Sequence, residues 1–152
     1  MELQQYQVSA FSPHPFGGNP AAVVPLEAWL SKALMLSIAA ENNLSETAFF
    51  VEEGGRYGLR WFTPTVEVEL CGHATLATAH VLFDELGVAL DTLRFDTRSG
   101  ELRVTRHGDG VQLDLPVHPV EEANADPAIV QALGLAPVAA YDAPSHVYRI
   151  DT

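Results

Sequence analysis

Leu70-Cys71-Gly72-His73-Ala74 places a thiol, a glycine and an imidazole directly ahead of an uncharged run that reaches Phe83. The run reads as a helix. The turn before it would then lie under unpaired backbone N–H groups and the positive end of the helix dipole, a setting that accepts a carboxylate or phosphate. Gly72 has no Cβ and lets a ligand come close. His73 could donate a hydrogen bond to that ligand or relay a proton near neutral pH; it equally suits a helix start satisfied by backbone. Cys71 stands where a helix dipole lowers a thiol pKa, yet a lone cysteine between Leu70 and Gly72 is also an ordinary small buried residue. Upstream, Asn42-Asn43-Leu44-Ser45-Glu46-Thr47 carries one acid in a polar turn between apolar elements. Glu46 reads either as a general acid or base whose pKa rises with partial burial, or as a carboxylate capping its turn beside Ser45 and Thr47. Asn19, in Gly17-Gly18-Asn19-Pro20, could present an amide to a ligand or do ordinary turn work. An anion cradle, an acid and a histidine are the parts needed to move a proton next to a carboxylate.

The remaining candidates are weaker. His73 and His80 are seven positions apart, which is not the i, i+4 spacing that grips zinc on a helix. His14, His107, His118 and His146 fall in loops or at strand ends without ligand spacing, so no metal is expected. No glycine-rich phosphate motif is present, and no nucleotide cofactor is expected either. Glu67 and Glu69, two apart, should share the solvated side of a strand whose core side carries Val66, Val68 and Leu70.

The elements that must position these groups follow from periodicity and turn chemistry. Tyr6, Val8 and Ala10 alternate as a half-buried strand. Ser12 to Pro20, with its prolines and glycines, is a loop. Ala21 to Val24 is strand-like. From Ala28 to Glu41, Leu30, Leu34 and Ile38 form the apolar stripe of a helix. Ala48–Val51 and Tyr57–Phe62 read as a hairpin turning at Gly54-Gly55. Ala74 to Leu86 is a second helix, closed by Gly87 and apolar enough to be buried all round. Thr92–Phe95, Glu101–Arg106 and Val111–Leu115 are further strands. Asp126-Pro127 caps a short helix that stops at Gly134, and Val147 to Ile150 is a last strand. Strands and helices are interspersed without regular βαβ alternation, so the fold class is α+β, with strands wrapped around a central buried helix.

Composition narrows the function. The 152 residues suit one domain of ordinary size or two small lobes. Basic residues number 8 against 20 acidic ones, a net charge of −12, which argues against a nucleic-acid groove or an anionic membrane surface. A single cysteine excludes an internal disulfide and suits a reducing compartment. The N-terminus lacks the pattern of a signal peptide, and the longest apolar helix-like run is interrupted at Asp84, so a cytoplasmic protein is expected.

Three segments taken in order carry a resemblance. Phe16-Gly17-Gly18-Asn19-Pro20-Ala21-Ala22-Val23-Val24 resembles the opening loop and strand of the phenazine-biosynthesis PhzF-like family, which has the diaminopimelate epimerase-like fold. Asn43-Leu44-Ser45-Glu46-Thr47-Ala48-Phe49 is similar to that family's signature acid segment. Arg60-Trp61-Phe62-Thr63-Pro64 with Glu67-Val68-Glu69-Leu70-Cys71-Gly72-His73-Ala74-Thr75 resembles its helix-start motif. The resemblance implies two similar lobes, each a strand-wrapped helix, with the site in the cleft between them and residues 1–152 as the N-terminal lobe. It also implies cofactor-independent isomerisation of a small carboxylate-bearing metabolite. Glu46 would be the acid/base and His73 the site histidine. Asn19 and the backbone at Gly72, His73 and Ala74 would bind the substrate. A second lobe, or a homodimer partner, would complete the cleft. Two other readings stay open. One is a cysteine-based racemase or epimerase with Cys71 as base, and the other is a non-catalytic binding or assembly subunit.

Overall fold

The computed structural model describes all residues except 1, 15, 118, 144–146 and 152. His118 and His146, expected in loops or at strand ends, therefore lie outside the described residues, as does Pro15 of the first loop. The chain divides into two units, Met1–Leu115 and Pro116–Thr152.

In the first unit, strand β1 (Tyr6–Ala10) runs antiparallel to β2 (Asn19–Leu26), and β2 runs parallel to β3 (Glu46–Glu53). β2 starts two residues earlier than the apolar pattern indicates. Pro20 fits there because it lies at the strand start, before the pairing with β3 begins at Ala21. The expected loop accordingly ends at Gly18, where a Cβ would stand 2.2 Å from the Ala10 carbonyl oxygen and only a glycine fits. β3 turns into β4 (Arg56–Phe62) through Gly54 and Gly55 at φ 61° and 80°, the paired positive values of a tight hairpin. The two-residue β5 (Glu67–Val68) pairs with the end of β4. β6 (Thr92–Thr97) lies parallel to β4, and β7 (Gly100–His107) and β8 (Gly110–Asp114) continue antiparallel. Among the described residues the sheet order is β1-β2-β3-β4-β6-β7-β8, with β5 off the path on β4.

Helix α2 (Gly72–His80) is the centre of this sheet. Ala74, Ala77 and Ala79 pack with Ala21, Val23, Ala48, Phe50, Leu59, Trp61, Phe95 and Leu102, side chains from strands along most of the sheet. The small residues on α2 let the strands close in around it. Thr75 and Thr78 are fully buried, and each satisfies its hydroxyl by donating to the carbonyl one turn back, Cys71 O at 2.6 Å and Ala74 O at 2.8 Å. The helix begins two residues earlier than expected and passes at Val81 into a π turn, Val81–Glu85, before Gly87 at φ 68°.

Helix α1 (Lys32–Asn42) covers the other sheet face. It starts at Lys32 rather than Ala28, because Ser31 caps it by accepting from the Leu34 N–H at 3.3 Å. Its buried residues are Met35 and Ala39, packed on Val24, Phe49, Val51 and Phe62. The expected stripe is displaced by one position: Leu34 is exposed, while Leu30 and Ile38 are partly buried at its margin. β3 thus sends Ala48 and Phe50 to α2 and Phe49 and Val51 to α1, the period of two expected of a strand buried on both faces.

The second unit holds β9 (Glu121–Ala123), β10 (Ala139–Asp142) and β11 (Val147–Arg149) in the antiparallel order β11-β10-β9, with helix α3 (Pro127–Leu133). Asp126 caps α3 by accepting from the Ala128 N–H at 2.8 Å, and Gly134 ends it at φ 70°, both as expected. β9 and β10 are not evident in the sequence pattern. Among the described residues no helix is long and apolar enough to cross a membrane.

Candidate active site

The parallel pairing of β2 and β3 brings their N-terminal ends together, and with them Asn19, Ser45 and Glu46. Asn43, at φ 50°, ends α1 in a left-handed turn that leads into this corner. The end of β4 lies opposite the start of β3, and β5 hangs from it, so the chain enters α2 at the same end of the sheet. Asn19, Glu46 and the helix start at Cys71, Gly72 and His73 are therefore gathered at one end of the sheet in the first unit.

Glu46 Oε2 lies 3.2 Å from His73 Nε2. On the other side of the imidazole, Nδ1 lies 3.4 Å from the Cys71 sulfur. His73 is 9% exposed, and the Glu46 side chain is 18% exposed. Although Glu46 Oε2 and His73 Nε2 are within ion-pair reach, they are out of line, and neither makes a hydrogen bond of good geometry. Two buried polar atoms without partners are costly to a fold and mark the spot where an external group would be received. Active-site hydrogen bonds often align only when ligand is bound.

Above them lies the start of α2. Cys71 is its N-cap in extended conformation, and its side chain makes no capping hydrogen bond. Gly72 and His73 are thus the first two helical residues, inside the helix and not before it as expected. Among the described residues a Cβ at Gly72 would meet only Leu113 Cδ2, at an ordinary 3.8 Å, so none of them requires glycine there. Asn19 accepts at Oδ1 from the Ser45 hydroxyl at 3.0 Å. That bond takes the acceptor end of the amide and leaves the NH2 as the end able to meet a ligand. Ser45, named in the sequence only as a neighbour of Glu46 in its turn, has this orienting role.

Burial pushes the Cys71 thiol up to about 11; the backbone N–H groups of Ala74 and His73 pull the other way, and the Glu46 carboxylate adds to the rise. The depressed thiol expected from the helix dipole is therefore reversed. Desolvation outweighs the dipole for a side chain this buried.

Glu67 departs from expectation. Its side chain is 4% exposed, whereas Val66, assigned to the core side, is 52% exposed. Three cations converge on the carboxylate: Arg60 Nε at 2.7 Å, Lys32 Nζ at 3.0 Å and Arg98 at 3.7 Å. The Arg60 hydrogen bond first, with Lys32 behind it and desolvation opposing, holds the Glu67 carboxyl down at about 2. Arg60 is itself clasped between the Trp29 and Phe62 rings, 5.4 and 5.3 Å from their centroids. Arg98 also reaches Glu69 at 3.1 Å, and Ser99 donates to the Glu69 carbonyl at 2.8 Å. These bonds tie down the segment that leads into Cys71 and α2.

Donor atoms of Glu46, Cys71 and His73 lie within 4.8 Å of one another, a spacing a metal ion could span. Sequence spacing does not reveal this group, because its acid comes from another element. The imidazole, however, shows the other two donors different nitrogens, Nδ1 to Cys71 and Nε2 to Glu46. That arrangement orients a proton better than it encloses an ion. A groove of about 740 Å³ between β1 and β8, floored by Leu76 and Ala77, lies elsewhere and includes none of these groups.

The family model described as phenazine biosynthesis-like protein (PhzC-PhzF) matches residues 8–136. An uncharacterized isomerase of Pseudomonas aeruginosa is 57% identical over 136 residues, which cover 90% of this chain and 52% of that protein. The crystal structure of a phenazine biosynthesis protein of the PhzF family from Enterococcus faecalis is similar with a TM-score of 0.90 at 48% identity, covering 99% of this chain and 58% of that one. A predicted epimerase from Pseudomonas aeruginosa, 22% identical, has a TM-score of 0.72 over 92% of this chain and 56% of its own, a likeness of fold. The chain spans about half the length of the curated relatives it matches.

Proposed function

The chain belongs to the phenazine biosynthesis-like (PhzC-PhzF) family, and from that premise we propose that it is the N-terminal lobe of a cofactor-independent isomerase. Its fold is the α+β, diaminopimelate epimerase-like one. The single observation that carries the reading is the 3.2 Å approach of Glu46 Oε2 to His73 Nε2, both buried and unpartnered among the described residues, beside a helix start whose N-cap side chain makes no capping hydrogen bond.

In this reading a small carboxylate-bearing metabolite docks its carboxylate on the N–H groups of Gly72, His73 and Ala74, with the Asn19 amide and His73 as further donors. Glu46 removes a proton from one carbon and returns it to another. The negative charge that develops on the substrate is met by N–H groups already in place. The remaining substrate contacts come from a second lobe beyond these residues, in the remainder of a full-length enzyme or in a homodimer partner.

The cysteine-based alternative is opposed by the thiol's environment: with a pKa of about 11, roughly 10⁻⁴ of Cys71 would be thiolate at pH 7. Glu46→Gln in the complete enzyme tests the proposal. Solvent deuterium incorporation into a panel of small carboxylates, followed by NMR, should fall on the order of 10²–10⁴-fold with the melting temperature unchanged. Retained exchange would sink the assignment, and Cys71→Ala should leave exchange within about tenfold.

A further inference from the structure

A neutral imidazole carries one N–H and one lone pair, and the contacts on its two sides decide which nitrogen holds which. At His73 both sides are occupied, by the Cys71 sulfur 3.4 Å from Nδ1 and by Glu46 Oε2 3.2 Å from Nε2. If the proton sat on Nδ1, the ring would give its only N–H to a thiol sulfur, a weak acceptor. It would also turn a lone pair toward a carboxylate oxygen, which repels it. If the proton sits on Nε2, both contacts are attractive: the thiol S–H meets a strong nitrogen acceptor, and Nε2–H stands close beside the negative carboxylate, though out of line with it.

We infer that Cys71 is a positioning residue whose S–H, donated to His73 Nδ1, holds the imidazole as the Nε2–H tautomer and makes His73 a hydrogen-bond donor toward Glu46 and the start of α2. The neighbouring geometry agrees. Cys71 is 8% exposed, so its S–H finds an acceptor inside the site, where His73 Nδ1 lies at 3.4 Å and the Glu46 carboxylate also faces it. Burial keeps Cys71 a thiol through neutral pH. Nε2 has no hydrogen-bond partner of good geometry among the described residues, so its N–H remains available to an incoming oxygen. The catalytic meaning rests on the function proposed above: an anionic substrate oxygen then meets N–H donors only, and His73 does not compete with Glu46 for the substrate's proton. The tautomer itself does not depend on that function.

Long-range ¹H–¹⁵N spectra of the ¹⁵N-labelled chain, at a pH where His73 is neutral, read the tautomer directly. His73→Gln identifies its signals among those of the six histidines. The wild-type ring should show an unprotonated-type Nδ1 and a protonated-type Nε2. Cys71→Ala should collapse that separation toward a tautomer mixture, and Cys71→Ser, whose hydroxyl also donates, should restore it. A wild-type ring protonated on Nδ1 overturns the inference, and so does an unchanged tautomer in a folded Cys71→Ala. Should the alanine variant lose its circular dichroism signature, the wild-type spectrum alone decides. Because no turnover is measured, the tautomer can hold while Glu46→Gln refutes the isomerase, or fail while the isomerase stands.

Discussion

Removing the charge of Glu67 should lower the stability of the chain by about 2–3 kcal/mol at neutral pH, and the loss should vanish in acid. Its carboxyl is held at about 2 against an ordinary 4.5, and at about 1.4 kcal/mol per pH unit the difference corresponds to roughly 3 kcal/mol. Lys32 and Arg98 reach the group from solvent, where water screens them, which places the expected effect at or below that figure. The carboxyl is depressed on folding, so its contribution is complete above the unfolded pKa and disappears as pH falls through the folded one. Glu67→Gln should therefore melt about 5–10 °C below wild type at pH 7. The gap should narrow from about pH 5 downward and close near pH 2. Thermal melts of both proteins by circular dichroism from pH 7 to pH 2 make the test. Parallel curves, with a gap that does not change with pH, would refute the reasoning, because they would mean that the substitution disturbs packing alone.

Two further outcomes follow from the site. Alkylation of Cys71 by iodoacetamide at pH 8 should be at least about 100-fold slower in the folded chain than in urea and should climb as pH approaches 11, the value burial imposes; equal rates would contradict a buried, protonated thiol. Gly72→Ala should raise stability by up to about 1 kcal/mol, since alanine suits a helix better and meets only Leu113, yet in the complete enzyme the added methyl should weaken substrate affinity at least about tenfold, and unchanged affinity would remove Gly72 from the binding surface.

The elements bounded by strong local chemistry were legible in the residues. Gly54-Gly55, Asp126-Pro127 and the apolar run after Gly72 each state their own geometry, and the structure follows them. The types of group in the site were legible too: an acid, a histidine and a helix start. Their arrangement was not, because Glu46 meets His73 through the packing of β3 on α2, a long-range fact no local window contains. Glu67 shows a different failure. Alternation assigned it to solvent, but β5 is only two residues long, too short for its period to govern burial, and the cations that allow a buried carboxylate come from α1, β4 and the β6–β7 turn. At Cys71 two real effects oppose each other, and only the degree of burial decides between them.

Glu46 has the same parity along β3 as Ala48 and Phe50, the residues that face α2. The direction in which the acid points is therefore set by the apolar side chains that follow it in the strand. A one-residue insertion or deletion between Glu46 and Phe50 would exchange the two faces, sending core residues toward the wrong helix and the carboxylate away from His73 together. Variants of that kind would be lost as unfolded chains before their chemistry was ever tested. Substitutions at Glu46 leave the register untouched, so libraries that seek new chemistry on this scaffold can vary the acid while the strand behind it keeps its aim.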